Sequence, residues 1–467
     1  MLKVKNKILS TGILVYPLLL NSCSENNPKQ YNVLLIVVDD LRPELGCYGK
    51  QEIISPNIDR LASEATVFTR AYCNVPVSGA SRASFLSGTR PGRKRYLGYD
   101  TWLDKDNPGA QTIPGCFRNN GYYTVSNSKV FHHPGEGRGS WDEEWRNKIQ
   151  FSWRNYALQE SREKENAGRG PAWECADVTD TAYYDGETAE KTISDLKRLK
   201  GMKKPFFLAT GFYKPHLPFT APKKYWDLYD RQKIKLAGNP NKPDAVPDAA
   251  IHTFQELRYY DPIPQTGPVP DSIARILRQG YYACISYTDA QVGKVLNALK
   301  DLGLDKNTLI VIMGDHGWNL GEHGLWCKHC NFETSLHVPL IIKVPGVTKG
   351  EKAGAIAEFV DLFPTLCDLC GIIVPEQCEG VSLAPVLRNS QGNTDGFAIS
   401  KYYDGITYIK GNLFYTEYMD SVRTYGAMLF DHNIDPDENK NLLIDEVYSK
   451  KVGELKSELM MHYFKGE

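Results

Sequence analysis

One acidic pair, one acid–histidine pair and one serine-led segment carry the residue types in this chain that could do chemistry. Asp39-Asp40 follows the run Val33-Leu34-Leu35-Ile36-Val37-Val38, and Asp315-His316 follows Thr308-Leu309-Ile310-Val311-Ile312-Met313 and a glycine. Each run reads as a strand buried on both faces, as in a parallel sheet. In open α/β sheets, ligands gather at the carboxyl ends of such strands. Three carboxylates converging there would repel unless a cation neutralised them, and hard oxygen ligands favour Ca2+ or Mg2+ over zinc. Taken singly, each pair also reads as a turn acid or a helix cap; the shared context is what points to a metal. The third feature is Ser78-Gly79-Ala80-Ser81-Arg82, continuing Ala83-Ser84-Phe85-Leu86-Ser87-Gly88. A serine alcohol is a poor nucleophile until a base or a metal activates it, and Ser and Gly are common at helix starts for unrelated reasons.

The elements that must position these groups follow from pattern. Ser55-Pro56-Asn57-Ile58-Asp59-Arg60-Leu61-Ala62 offers a cap residue, Pro at the first helical position and apolar residues at helical spacing. Gly280 to Lys300 reads as a long helix and Val338 to Val344 as a third strand. Strands alternating with helices define an α/β domain. Residues 384 to 398 shift to Asn, Gln, Gly, Asp and Ser, a linker composition. Beyond them Ala398 to Asp404, Thr407 to Lys410, Leu413 to Tyr418 and Ala427 to Phe430 read as short tyrosine-rich strands, and Ile444 to Lys465 as a closing helix. The expected division is a targeting segment over 1–22, an α/β domain over 23–385, and a smaller α+β subdomain with an antiparallel sheet over 386–467.

With 467 residues and 42% hydrophobic content the chain can bury a large core. A formal net charge of −1 gives no basic excess for nucleic acid. No apolar run after residue 25 approaches the ~20 residues that span a bilayer. At the N-terminus, Lys3, Lys5 and Lys7 precede the apolar stretch Ile8 to Leu20. Leu20-Asn21-Ser22-Cys23 resembles a bacterial lipobox, with Asn21 an unusual residue there. This implies cleavage before Cys23, lipidation of its thiol, and an exported bacterial protein, periplasmic or an outer-membrane lipoprotein, that meets the membrane only through that anchor. Ordinary signal-peptidase cleavage is the alternative. Of the eleven cysteines, Cys327-x-x-Cys330 and Cys367-x-x-Cys370 mimic a zinc site, but the pairs are too far apart for common zinc modules. Phe363 to Gly371 reads as an amphipathic helix whose cysteines are core residues. Cys378 is near enough in sequence to bridge Cys370.

The Ser78 to Gly88 segment resembles the signature of the type I sulfatases, in which Cys or Ser precedes x-Pro/Ala-Ser-Arg and a later Ser/Thr-Gly. In that family the first residue is oxidised to formylglycine (3-oxoalanine), whose hydrate attacks the sulfate ester. Asp39-Asp40-Leu41-Arg42-Pro43-Glu44-Leu45-Gly46-Cys47-Tyr48-Gly49 resembles the opening of the iduronate-2-sulfatase branch. So do Ser55-Pro56-Asn57-Ile58-Asp59, Lys129-Val130-Phe131-His132, Lys214-Pro215-His216-Leu217-Pro218-Phe219, Gly314-Asp315-His316-Gly317-Trp318 with Gly321-Glu322-His323-Gly324, and Asp361-Leu362-Phe363-Pro364-Thr365. Ser128 stands where the family commonly has Gly, His316 where many members have Asn, and Cys73-Asn74-Val75-Pro76 lacks the following Arg.

The resemblance implies an alkaline-phosphatase-like fold, a mixed sheet sandwiched by helices. It implies one Ca2+ held by Asp39, Asp40, Ser78, Asp315 and His316, with His316 the least suited ligand. Ser78 becomes the nucleophile, buttressed by Arg82. Lys129 and His132 flank it, His132 as the base that releases the sulfate, with His133 beside it as a possible substitute. His216 and Lys328 face the sulfate and the leaving oxygen, one of them as general acid. Trp318, His323, Trp326 and Trp102 are expected at the sugar-binding rim. The implied partners are a sulfated glycan, most specifically a 2-O-sulfated hexuronate of a glycosaminoglycan, and a serine-type anaerobic sulfatase-maturating enzyme. Two rivals are a two-zinc phosphoester hydrolase of the same superfamily and a non-catalytic lipoprotein that binds sulfated glycans.

Overall fold

The computed structural model describes residues 30–149, 152–253, 255–394, 396–420 and 423–463. The targeting segment, Cys23 and the last residues of the expected closing helix lie outside the described residues.

The main sheet contains β1 (Asn32–Val38), β2 (Thr66–Tyr72), β3 (Tyr123–Ser128), β4 (Glu143–Trp145), β5 (Phe206–Phe212), β6 (Thr308–Gly314), β7 (His337–Lys343) and β8 (Glu351–Ala353). Their order is β8-β2-β7-β6-β1-β5-β3-β4, with Ala357–Glu358 also pairing β2. Strand β7 runs antiparallel to both neighbours; the other pairings are parallel. The sheet is thus mixed.

The apolar runs read as strands buried on both faces, and alternation sorts them between two cores. Val33, Leu35 and Val37 of β1, with Leu309, Val311 and Met313 of β6, join one apolar layer. Leu34, Ile36 and Val38, with Ile310 and Ile312, join the other. Helices α2 (Ser78–Ser87) and α5 (Leu362–Cys370) cover the first face. Helices α1 (Pro56–Ala62), α3 (Tyr184–Leu199) and α4 (Asp271–Asp301) cover the second.

Three local readings are corrected. Ser55 does not cap α1: its hydroxyl accepts from Gly46 N and donates to Asp59, while Asp289 of α4 accepts the N–H groups of Asn57 and Ile58. A tertiary partner has taken the cap's place. Helix α4 begins at Asp271, since the polar start that hides it from the pattern still buries Ala274 and Leu277. The expected linker contains the helix Ala384–Arg388, so the boundary at 385/386 falls inside it, because Val386 and Leu387 join the main core.

The C-terminal strands β9 (Phe397–Tyr402), β10 (Gly405–Lys410), β11 (Leu413–Met419) and β12 (Thr424–Asp431) form an antiparallel sheet in that order. Period two again divides it: Ala398, Ile409, Phe414 and Met428 enter the main core, while Ile399, Tyr408, Tyr415 and Leu429 pack with Leu455 and Leu459 of α6 (Ser449–Tyr463). Asn74, from the segment set aside as lacking the arginine, donates to Ile399 O at 2.9 Å and accepts from Lys401 N at 2.8 Å, tying this sheet to the larger body. All ten described cysteines are free, so the Cys370–Cys378 bridge is not formed, and among the described residues the two Cys-x-x-Cys pairs are not among the groups whose ligand atoms converge; Cys367 and Cys370 are buried in α5.

Candidate active site

Four adjacent parallel strands, β6, β1, β5 and β3, end at one edge of the sheet, and each delivers a pair of polar residues there. Asp315 and His316 follow β6, Asp39 and Asp40 follow β1, Lys214 and His216 come after β5, and Lys129 and His132 after β3. The first turn of α2 supplies Ser78, and Arg82 lies one turn on, on the same face. All ten residues of α2 are buried. Gly79 is required by close approach: a Cβ there would lie 2.5 Å from Tyr99 O.

The backbone around the basic residues is unusual in the same places. Ser128 has φ +65°, a left-handed conformation that glycine adopts without penalty. The Ser128 hydroxyl donates to Asn147 Oδ1 at 2.7 Å. The turn places Lys129 directly on β5, where a Cβ on Gly211 would lie 1.9 Å from Lys129 O. Asp40 also has positive φ (+59°), in keeping with the tendency of such conformations to gather at functional sites.

The expected metal ligands converge. Asp39, Asp40, Asp315 and His316 each offer one atom within a common 4.8 Å limit, and all four are fully buried. Ser78 Oγ donates to Asp39 Oδ1 at 2.8 Å and lies 2.9 Å from His316 Nε2. His316 Nδ1 is 3.0 Å from Gly317 O; assigning the ring proton to that nitrogen leaves Nε2 as a lone pair. One serine proton cannot satisfy both neighbours. Burial opposes ionisation of Asp39, but Lys129 and Arg82 outweigh it and hold its carboxyl well below the usual range. Burial pushes Asp40 well above that range despite Lys328, with Asp39, Glu256 and Asp315 adding to the effect. A lone-pair-rich, oxygen-dominated pocket with one carboxylate short of positive charge fits a hard divalent cation.

Arg82, with no exposed surface, closes this cluster from behind. Its Nε donates to Asp315 Oδ2 at 2.9 Å, its Nη2 to Asp39 Oδ1 at 3.1 Å, and its Nη1 to the carbonyls of Lys129 and Val130. Lys129 pairs with Asp39. Lys328 Nζ lies 3.1 Å from Asp40 Oδ1 and 3.0 Å from Glu256 Oε1. Both lysines are buried, against the usual solvated state of the residue. Asp40, His216 and Glu256 form a second convergent group, and two of its members, Asp40 and Glu256, pair with the Lys328 ammonium. His132 sits half-buried beside Lys129, with Nδ1 buried and without a partner; burial and then Lys129 hold its pKa well below the ordinary value.

The rim residues fare differently. Trp318 (1% exposed), Trp326 (4%) and His323 (3%) are core residues. Trp318 packs on Tyr281 and Phe219, and His323 Nε2 meets Asp437 O in the C-terminal part. They cannot line a rim, and their position beside the Asp315 motif reflects packing of that loop. Trp102 is half-buried and stacks on His133 at 4.8 Å. Several contributors were not foreseen. Arg146 donates to the carbonyls of Phe131 and His133 and braces the Lys129–His133 turn. Asp185 accepts from Tyr213 N and Lys214 N, and Lys214 Nζ donates to His216 O and Pro218 O, fixing the loop that carries His216. Glu256 and Trp153 flank His216 itself. Asp185 opens α3 and Glu256 lies in the short helix Gln255–Arg258, yet neither position marks itself in the sequence, and the fold brings them in.

A mixed, helix-covered sheet with a buried acidic cluster at its carboxyl edge and a serine hydroxyl on the adjoining helix is an alkaline-phosphatase-like architecture. The comparisons narrow the class. The family model "Sulfatase" matches residues 31–372, and "N-sulphoglucosamine sulphohydrolase, C-terminal" matches residues 321–464. Human iduronate 2-sulfatase is 39% identical over 391 residues, covering 74% of this chain and 70% of the relative. A sulfatase of Formosa agariphila is 30% identical over 464 residues, covering 93% and 89%. A solved structure in complex with its substrate D-glucosamine-2-N,6-O-disulfate superposes with TM-score 0.73 at 22% identity, covering 93% of this chain and 98% of that one. The chain belongs to the type I sulfatase family and is an enzyme that hydrolyses sulfate esters.

Proposed function

We propose that the protein removes sulfate from a carbohydrate, most specifically a 2-O-sulfated hexuronate at the end of a glycosaminoglycan chain, with residue 78 as nucleophile. The observation that carries this reading is the placement of Ser78 Oγ between Asp39 Oδ1 (2.8 Å) and His316 Nε2 (2.9 Å), within the cluster that fits a cation. The substrate assignment rests on the 39% identity to iduronate 2-sulfatase. Asp39, Asp40, Asp315 and His316, with the oxygen of residue 78, would hold one Ca2+, which neutralises the carboxylates and polarises a sulfate oxygen. A formylglycine made from Ser78 by a serine-type maturase supplies a second hydroxyl, so the enzyme can be freed without water attacking sulfur.

The chain's own residues do the rest. Lys129 and Lys328, pinned on either side by Asp39 and Asp40, place fixed positive charge where negative charge develops. Arg82 fixes Asp39 and Asp315 and so the geometry of the nucleophile. His132, held neutral with an unpartnered Nδ1, is positioned to take the proton that frees the enzyme. Burial works against the Lys328 ammonium, but Asp40 and Glu256 outweigh it and raise its pKa. Burial and then Lys328 hold the His216 pKa well below its ordinary value, so His216 and Lys328 both stay as candidates to protonate the leaving oxygen. The Lys328 ammonium paired with Asp40 and Glu256 favours this one-metal reading over the two-zinc phosphoester hydrolase. Among the described residues no helix is long and apolar enough to cross a membrane. The N-terminal sequence supports export with anchoring through Cys23. The test is a panel of sulfated disaccharides given to matured protein: preferential release from a 2-O-sulfated uronate supports the assignment. Exclusive release from a 6-O-sulfated hexosamine, or from another sulfated polysaccharide, refutes it.

A further inference from the structure

A polar concavity of about 230 Å³ opens beside the loop that carries His216, and the catalytic geometry makes no use of it. Lys148, Asn155, Tyr156, Arg162, Tyr184 and Glu187 line it. It falls below the ~300 Å³ at which pockets for drug-sized ligands begin, which suits one sugar ring. Asn155 and Tyr184 also line the cleft that reaches Lys214 and His216, so the two hollows share a wall. That cleft holds about 10 Å³, room for a water molecule and no ring. Tyr184 packs on Tyr213 at 5.8 Å between centroids, and the Lys129 ammonium lies 5.6 Å from the Tyr213 ring. Lys129 in turn pairs with Asp39, which accepts from Ser78. The rings of Tyr184 and Tyr213 thus link the concavity to the groups around residue 78.

The wall offers donors. Lys148 is exposed, and its ammonium has no hydrogen-bond or ion-pair partner among the described residues. Asn155 Oδ1 accepts from Tyr184 N at 2.7 Å, which turns Nδ2 outward as a donor with no partner among the described residues. Asn155 holds this place with φ +56°, a left-handed conformation of the kind that gathers at ligand sites. Arg162 Nε donates to Tyr156 O at 2.8 Å and its Nη2 to Ala157 O at 2.9 Å, which fixes a second cation in the wall. The carboxylates are already engaged: Glu165 by Arg154 and the Ser152 hydroxyl, Glu187 by Asn147 Nδ2 at 3.1 Å.

From this juxtaposition we propose that the concavity is a distal subsite for an anionic sugar of the glycan, beyond the ring that bears the scissile sulfate. The inference rests on reading the protein as a glycan sulfatase acting at a chain end, and adds where the rest of the chain goes. Hexuronates recur along such a chain, so the anion is a uronate carboxylate. Lys148 pairs with that carboxylate, and Asn155 Nδ2 donates to a hydroxyl of the same ring.

The experiment gives three probes to matured full-length enzyme: a sulfated uronate disaccharide, the tetrasaccharide that extends it by an unsulfated uronate-containing disaccharide, and that tetrasaccharide with the added carboxyl reduced to an alcohol. In wild type, kcat/KM for the tetrasaccharide is expected to exceed that for the disaccharide by about tenfold, carried by KM, and the reduced form to lose most of the gain. Lys148→Glu is expected to bring the tetrasaccharide within about twofold of the disaccharide, and Lys148→Arg to keep most of the gain. Calorimetric titration of full-length Ser78→Ala with the tetrasaccharide reads binding apart from turnover, and adding Lys148→Glu is expected to weaken it about tenfold. A tetrasaccharide no better than the disaccharide in wild type, or a gain unchanged in Lys148→Glu, overturns the subsite while the sulfatase reading stands. Lys148-dependent binding without turnover by matured wild type upholds the subsite and overturns the catalytic reading. Neither binding nor turnover overturns both.

Discussion

Arg82 gives the sharpest energetic prediction, because one fully buried guanidinium is shared by two fully buried carboxylates. Replacing Arg82 by Ala removes partners 2.9 Å from Asp315 and 3.1 Å from Asp39 and strips donors from two backbone carbonyls. Breaking a buried ion pair from one side costs roughly 3–5 kcal/mol, because the other charge is left uncompensated. Against a total stability of about 5–15 kcal/mol this is a large fraction. Urea denaturation in EDTA should therefore show Arg82→Ala destabilised by about 4 kcal/mol. Asp315→Asn in the same background should recover part of the loss, giving a coupling energy of about 2 kcal/mol or more in the double-mutant cycle. Added Ca2+ should stabilise Arg82→Ala more than wild type, since a cation can neutralise the carboxylates the arginine abandoned. A loss under about 1 kcal/mol, or a coupling near zero, would refute the view that Arg82 holds the metal cluster together.

Further outcomes follow from the same geometry. Chelation should abolish turnover, Ca2+ but not Zn2+ should restore it, and Asp40→Asn should lose activity in both conditions; restoration by Zn2+ alone would favour the phosphoester hydrolase. Lys328→Ala should lower kcat by about 10²–10³, the usual cost of removing one preorganised charge donor, and a loss under about tenfold would remove it from the catalytic set. Burial pushes Glu136, close to the His132–His133 turn, up to about 7 from 4.5, although the N–H groups of His133 and Leu103 donate to it. A raised folded pKa means stability fully present below the unfolded value and lost as pH rises through the folded one. Wild type should thus lose roughly 3 kcal/mol relative to Glu136→Gln across that window and no more above it; denaturant midpoints measured against pH check this.

The sequence made the catalytic edge legible because its chemistry sits at the ends of apolar runs. Asp39, Asp40, Asp315 and His316 are placed by strands whose continuous burial is written in their composition, and the structure brings them together with Ser78 and Arg82. Lys129 and Lys328 could be singled out only through the motifs around them, since nothing in a lone lysine announces that it is buried. The rim was misread because tryptophan next to a catalytic motif looks like a platform, whereas Trp318 fills the layer against Tyr281. Trp153, Glu256 and Arg146 left no signal in periodicity or spacing; they lie on a turn, a four-residue helix and the end of a three-residue strand, which reach the site only through the tertiary fold. The polar stretch after residue 384 looked like a linker, yet Val386 and Leu387 are apolar anchors within it. Composition averaged over a window concealed two buried side chains.

The central claim is that residue 78, converted from serine, is the nucleophile. The most direct measurement is the mass of the proteolytic peptide containing residue 78, taken across preparations made with and without a serine-type maturase and compared with their rates of sulfate release. The account predicts that activity scales with the fraction of peptide lacking two hydrogens, the mark of the aldehyde. Full activity in a preparation whose residue 78 is wholly unmodified serine would contradict it.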